Sequence, residues 1–195
     1  MSRVGFIRSL AVVAGAIIIA SCSGAGISDP NVNQETLGAP TTDPSTLDLR
    51  AVWWKNQYQD PIKVSKVIDQ SGGTISIPET GLTLSFPAGA VAAPLTVTVT
   101  SDVQYVAYQM EPTGTQFLKA VTATQLLNTT SLSGSPLRSA LYVAYIADDS
   151  ASLIGKVPVL EIEPSTTIFS VLSPLLPQAH VWTIRHFSRY MLASG

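Results

Sequence analysis

The sequence predicts an all-β fold, an antiparallel β-sandwich, and three observations support it. From about Ile62 onward, apolar and polar residues alternate in short runs, as half-buried strands require. Val, Ile, Thr, Tyr and Phe dominate those runs, and their branched or aromatic side chains suit a pleated surface. Turn-forming residues separate the runs, and none makes a convincing amphipathic helix.

In order, the expected strands lie in "KVSKVIDQ", "GTISIP", "LTLSFP", "PLTVTVTS", "VQYVAYQM", "FLKAVTATQLL", "ALYVAYIA", "VPVLEIEP" and "HVWTIRHF". Gly72-Gly73, Thr80-Gly81, Ala88-Gly89, Thr113-Gly114, Ser133-Gly134 and Asp148-Asp149 fall between them, where turns are expected. Alternation also assigns faces. Val97 and Val99 point one way and Thr96, Thr98 and Thr100 the other, while Leu82, Leu84 and Phe86 alternate with Thr83 and Ser85. The segment "EPSTTIFSVLSPLLPQ" breaks this rhythm, because Pro164, Pro174 and Pro177 would interrupt central strands. A short strand around Thr167 to Val171 and then an irregular loop over the sandwich end are expected there. The roughly 130 residues from Ile62 onward suit one domain with one core.

The start of the chain is of another kind. Arg3 and Arg8 precede an apolar stretch from Leu10 to Ala20, the order of charged and hydrophobic regions in a secretory signal. A spanning helix needs roughly 20 apolar residues, about twice what is present, so the stretch reads as a targeting segment. Ile19-Ala20-Ser21-Cys22 then resembles the bacterial lipobox, and Cys22 is the single cysteine of the 195-residue chain. The resemblance implies cleavage before Cys22, thioether attachment of diacylglycerol to its sulfur and acylation of its new amino group. An ordinary signal peptide with a chance cysteine is the alternative. Three acyl chains would anchor the protein durably, since one alone holds only marginally. Ser23, rather than Asp, follows the cysteine, which by resemblance to enterobacterial sorting favours the outer over the inner membrane.

Losing Arg3 and Arg8 with the signal takes 11 basic residues to 9 against 13 acidic ones, a net charge of −4. The remaining basic residues are scattered singly, without the clustering that a phosphate backbone demands, so nucleic acid is excluded as a partner class. After Cys22, "SGAGISDPNVNQETLGAPTTDPSTLDLR" is rich in Pro, Gly, Thr, Asp and Asn and poor in aliphatic periodicity. It reads as a tether over residues 22–50, with a typical reach on the order of 30 Å, the alternative being an N-terminal strand that docks on the domain. An aromatic flank over 51–61 follows, carrying Trp53, Trp54 and Tyr58. These either pack against the domain or display adjacent indoles as a platform for a glycan or a membrane surface. The expected organisation is therefore signal peptide 1–21, acylated Cys22 and tether 22–50, aromatic flank 51–61 and β-sandwich 62–195.

The search for chemistry is mostly negative. His180 and His186 are the two histidines, and with Cys22 committed to lipid there is no Cys/His zinc constellation. No Walker-type loop, Gly-x-Gly-x-x-Gly or Gly-x-Ser-x-Gly sequence occurs. Neither a metal nor another cofactor is expected. Asp148-Asp149 reads as a turn, and Glu161 with Glu163 as two exposed residues on one strand face, with calcium binding or acid/base work as the alternative. Asn128-Thr129-Thr130 reads as a hairpin turn or loop.

Three stretches carry a family resemblance. "GGTISIPETGLTLSFPAGAV" resembles the opening of the ZU-five domain of ankyrins and netrin receptors: a Gly-Gly turn, a strand, a Gly turn, a second strand and Pro-x-Gly-Ala. "MEPTGTQFLKAVTATQLL" is similar to that family's Pro-x-Gly-x-x-Phe-x-x-x-Val strand, and "RHFSRYMLAS" to its closing His-Phe-Ser-x-Tyr strand. The similarity runs from about Val64 to Ser194 and implies an antiparallel sandwich, with Leu153 to Gln178 departing from the pattern.

His186-Phe187-Ser188 then raises a sharper possibility. In some proteins with ZU-five domains such a tripeptide cuts its own backbone. The chemistry needs the Ser188 hydroxyl to attack the Phe187 carbonyl, an imidazole such as His186 to take the proton, and a strained turn. The plain reading is a last strand in which Phe187 enters the core, His186 and Ser188 lie on the other face, and a bulge lets Tyr190 be buried as well. The resulting expectation is a lipid-anchored envelope protein with a non-catalytic β-sandwich that serves as an interaction or structural module, its partner a protein of the envelope or surface. Self-cleavage between Phe187 and Ser188 and glycan binding through Trp53, Trp54 and Tyr58 are the alternatives.

Overall fold

The structure, a computed structural model, describes residue 43 and residues 46–146 and 150–195. The apolar leader, Cys22 and its lipobox, most of the tether and the Asp148-Asp149 turn lie outside the described residues. Twelve strands follow one another: β1 (Arg50–Ala51), β2 (Lys63–Ile68), β3 (Gly73–Ile77), β4 (Leu82–Phe86), β5 (Leu95–Ser101) and β6 (Ala107–Glu111). Then come β7 (Gln116–Leu126), β8 (Leu141–Ile146), β9 (Glu161–Glu163), β10 (Ser165–Phe169), β11 (Pro177–His186) and β12 (Arg189–Ser194). A 3-10 turn, Leu127–Thr129, occupies the Asn128 stretch, and no α-helix occurs among the described residues.

These strands form two antiparallel sheets in a sandwich. The larger runs β2-β5-β6-β12-β8-β9, with β1 also paired to β12, and the smaller runs β10-β11-β7-β4-β3. Alternation decides what lies between them. Ile75, Ile77, Leu82, Leu84 and Phe86 from the smaller sheet meet Val97, Val99, Met110, Tyr190 and Leu192 from the larger, all nearly or fully buried. Each fully buried aliphatic side chain of this kind stabilises the fold by about 1.5–3 kcal/mol. One buried polar group crosses this core. Gln125 accepts from the Tyr108 hydroxyl (2.6 Å) and donates to the carbonyls of Thr80 (2.6 Å) and Leu126 (2.8 Å), so its burial leaves no amide atom unpaired.

Strand β12 is buried on both faces, and its sequence "YMLA" shows why no alternation is visible there. Tyr190 and Leu192 enter the main core, whereas Met191 and Ala193 face a second cluster with Leu49, Ala51, Ala144, Ile146, Leu153 and Val157. Leu153 and Val157 belong to the stretch that departs from the family pattern, and they help to cover the second face of the large sheet. Leu49 is fully buried and Arg50 pairs with Ser194, so the last residues of the expected tether are part of the sandwich. That is the docking N-terminal strand weighed against the tether.

Two expected strands are shorter than their alternating text. Residues 103–106 leave the ladder because the Asp102 carboxylate accepts the N–H groups of Gln104 and Tyr105 (both 2.8 Å), a local turn that competes with pairing. Residues 157–160 are not strand either; Val157 donates to the Leu49 carbonyl (3.1 Å) on the second face, and Pro158 has no N–H to give a ladder.

Candidate functional site

The closing segment brings together the residues singled out for chemistry. β11 belongs to the smaller sheet and β12 to the larger, so Phe187 and Ser188 form the bend by which the chain crosses the sandwich. Backbone bonds hold that bend: Phe187 N–H donates to the Thr115 carbonyl (2.9 Å), the Phe187 carbonyl accepts from Gly114 N–H (2.9 Å), and the Ser188 carbonyl accepts from Met110 N–H (3.0 Å). The Phe187 ring is fully buried edge-on to Phe117 (4.7 Å between ring centres) and Phe86 (6.2 Å). Phe187 is thus a core anchor, as expected. Ser188 is not on an open face, as a continuous last strand implied; it is buried, because the chain turns inward between the sheets instead of running straight.

His186 lies on one side of this bend. Its ring packs against Tyr145 (5.0 Å) and Tyr190 (6.1 Å), its Nδ1 is 3.4 Å from the Tyr190 hydroxyl, and that hydroxyl donates to the His186 carbonyl at 2.7 Å. No hydrogen bond joins His186 to Ser188 among the described residues. Two carboxylates complete the surroundings, for Glu161 and Glu163 project from one face of β9 toward the same imidazole. The expectation that both are exposed fails for Glu163, which keeps 6% of its surface. Burial and the neighbouring Glu161 charge push its carboxyl up to about 7, against smaller opposite effects of the Tyr190 hydroxyl and Arg185. The other histidine stands elsewhere. His180, in β11, is buried, accepts or donates at Nδ1 with the Thr167 hydroxyl (3.0 Å), and leaves Nε2 without a partner; burial brings its pKa down to about 4.

The aromatic flank does not form the platform that adjacent indoles suggested. Trp54 is buried, donates Nε1–H to the Asp102 carbonyl (2.8 Å) and lies edge-on to Tyr58 and Tyr108. Tyr58 is half-buried against it, its hydroxyl held by the Glu79 carbonyl at 2.7 Å. Trp53 alone stays exposed, since neighbours in an extended chain point to opposite sides.

A surface that sequence reasoning missed lies at the β10–β11 hairpin. The loop does not lie over the sandwich end; Val171, Leu172 and Leu175 are exposed by 93%, 95% and 72%. The display is held in place by bonds within the turn, Ser170 N–H to the Leu176 carbonyl (2.9 Å) and Leu176 N–H to the Ser173 carbonyl (2.8 Å). β10 is also the outer strand of its sheet, and from Ser165 to Ile184 there is no Asp, Glu, Lys or Arg. Edges are ordinarily blunted by charge, as Lys66 of β2 does by capping the Thr74 carbonyl of the opposite edge strand at 2.9 Å. The signal was in the sequence as a twenty-residue gap in charge.

An all-β sandwich with a structured crossing bend and an uncharged edge hairpin is the class these observations define. Residues 64–118, spanning most of β2 through the start of β7, match the family model of the ZU5 domain, a protein-interaction and structural module. No curated protein matches the chain. The match contains the Gly-Gly opening and the Pro-x-Gly-Ala turn, and His186-Phe187-Ser188 stands outside it.

Proposed function

We propose that this chain is a lipid-anchored protein of the bacterial cell envelope, attached through Cys22 to the outer membrane, whose sandwich binds a protein partner and does no catalysis. The observation that carries the reading is the β10–β11 hairpin: an open strand edge and a fixed apolar tip, both free of charge, are what a protein partner uses for strand addition and apolar contact. The lipobox resemblance at Ile19-Ala20-Ser21-Cys22 supports the anchor. A photo-reactive residue placed at Leu172 in cells will form one discrete protein adduct, and the same residue at exposed Ser85 will form none. Equal labelling at both positions, or none at Leu172, would overturn the assignment.

A second reading is favoured by one feature of the bend, the Gly114 N–H that polarises the Phe187 carbonyl. Attack by the Ser188 hydroxyl on that carbon would form an ester as the peptide C–N bond breaks. The hydroxyl proton would pass by way of His186 to the freed Ser188 amine, and water would then hydrolyse the ester to a carboxylate and the alcohol. The orientation of His186 toward Tyr145 and Tyr190 supports the non-catalytic reading over this one.

A further inference from the structure

Glu161, Glu163 and His186 come from opposite sheets of the sandwich, and one ligand atom from each lies within 4.8 Å of the other two. An ion centred among three atoms so spaced stands no more than about 2.8 Å from each, and a closure of a few tenths of an ångström reaches ordinary metal–ligand distances. The Tyr190 hydroxyl stands beside both the His186 ring and the Glu163 carboxylate. No hydrogen bond or ion pair links the three side chains to one another, and neither carboxylate pairs with a Lys or Arg among the described residues. Arg185 is exposed and acts on Glu163 only from a distance.

The buried member is the telling one. Glu163 is more than nine-tenths buried, has the Tyr190 hydroxyl beside it, and holds a carboxylate oxygen within 4.8 Å of ligand atoms of Glu161 and His186. Burying an acid beside a second acid is costly unless a cation or a proton offsets it. The Tyr190 hydroxyl spends its proton on the His186 carbonyl, which fixes the backbone beneath the imidazole and leaves the ring as the site's nitrogen donor. We infer that Glu161, Glu163 and His186 bind one divalent first-row transition-metal ion, with water in the remaining positions. An imidazole nitrogen beside two carboxylates selects zinc or manganese over calcium, whose sites are built from oxygen alone. The ion would fasten β9 of the larger sheet to the end of β11 in the smaller.

The test is zinc binding to the full chain, measured by calorimetry and by metal content after dialysis, with calcium as the comparison ion. One zinc per chain is expected, with no heat from calcium. Glu163→Gln and His186→Gln should each weaken zinc at least about tenfold, and Asp48→Asn, a surface acid on another segment, should leave it unchanged. Should Glu163→Gln fail to fold by circular dichroism, exposed Glu161→Gln serves the same purpose. No zinc bound after dialysis, or affinity unchanged in the folded variants, would overturn the assignment.

Discussion

His180 shows at the residue scale how burial becomes a property that can be measured. Its imidazole is enclosed in β11 and its pKa is brought down to about 4 from an ordinary 6.5. The unfolded chain therefore binds a proton that the native chain refuses, and native stability is lost as pH falls through the interval between those values. By the size of that shift the loss reaches about 3 kcal/mol near pH 4. Glu163 works in the opposite sense, since a carboxyl raised to about 7 favours the native state at low pH, so a raw profile mixes the two. Comparison with His180→Leu separates them. In urea unfolding, the variant should gain on the parent by about that amount between pH 7 and pH 4, and a gap independent of pH would contradict the account.

At the scale of elements, the turns are as specified as the strands. Gly81 closes the β3–β4 hairpin at φ +77°, in the left-handed region, and a Cβ there would stand 2.9 Å from the Leu126 Cβ. Strain and overlap together should cost Gly81→Ala about 2–3 kcal/mol, read as a lower denaturation midpoint with an unchanged slope. A midpoint within error of the parent would contradict it. Much at this scale was legible. β3, β4 and β5 alternate cleanly because one face of each is core and the other is wet or half-covered, and their glycine turns sit where the alternation stops. β12 was less so, because a strand covered on both faces has no alternating text, and which segments cover it is a long-range matter. The candidate site was hidden for the same reason. Parity put Glu161 and Glu163 on one face of β9, but only the packing of the two sheets brings His186 of β11 to them, and the burial of Glu163 is likewise a long-range matter.

At the scale of the whole molecule, the structure is a β-sandwich with an uncharged, exposed hairpin, and the proposal adds a lipid anchor, a protein partner and a crossing bend that stays intact. Two parts come from the stretch between β8 and β11: Leu153 and Val157 help to cover the large sheet, and Val171, Leu172 and Leu175 make the exposed tip. The ZU5 match covers residues 64–118, most of β2 to the start of β7, and both of these parts lie outside it. The intact mass of the membrane-extracted protein, taken under denaturing conditions, tests this account most directly. It predicts a species that begins at a triacylated Cys22 and still carries Ser188 to Gly195 in covalent continuity with Phe187. A species ending at Phe187, or one without lipid on Cys22, would contradict it.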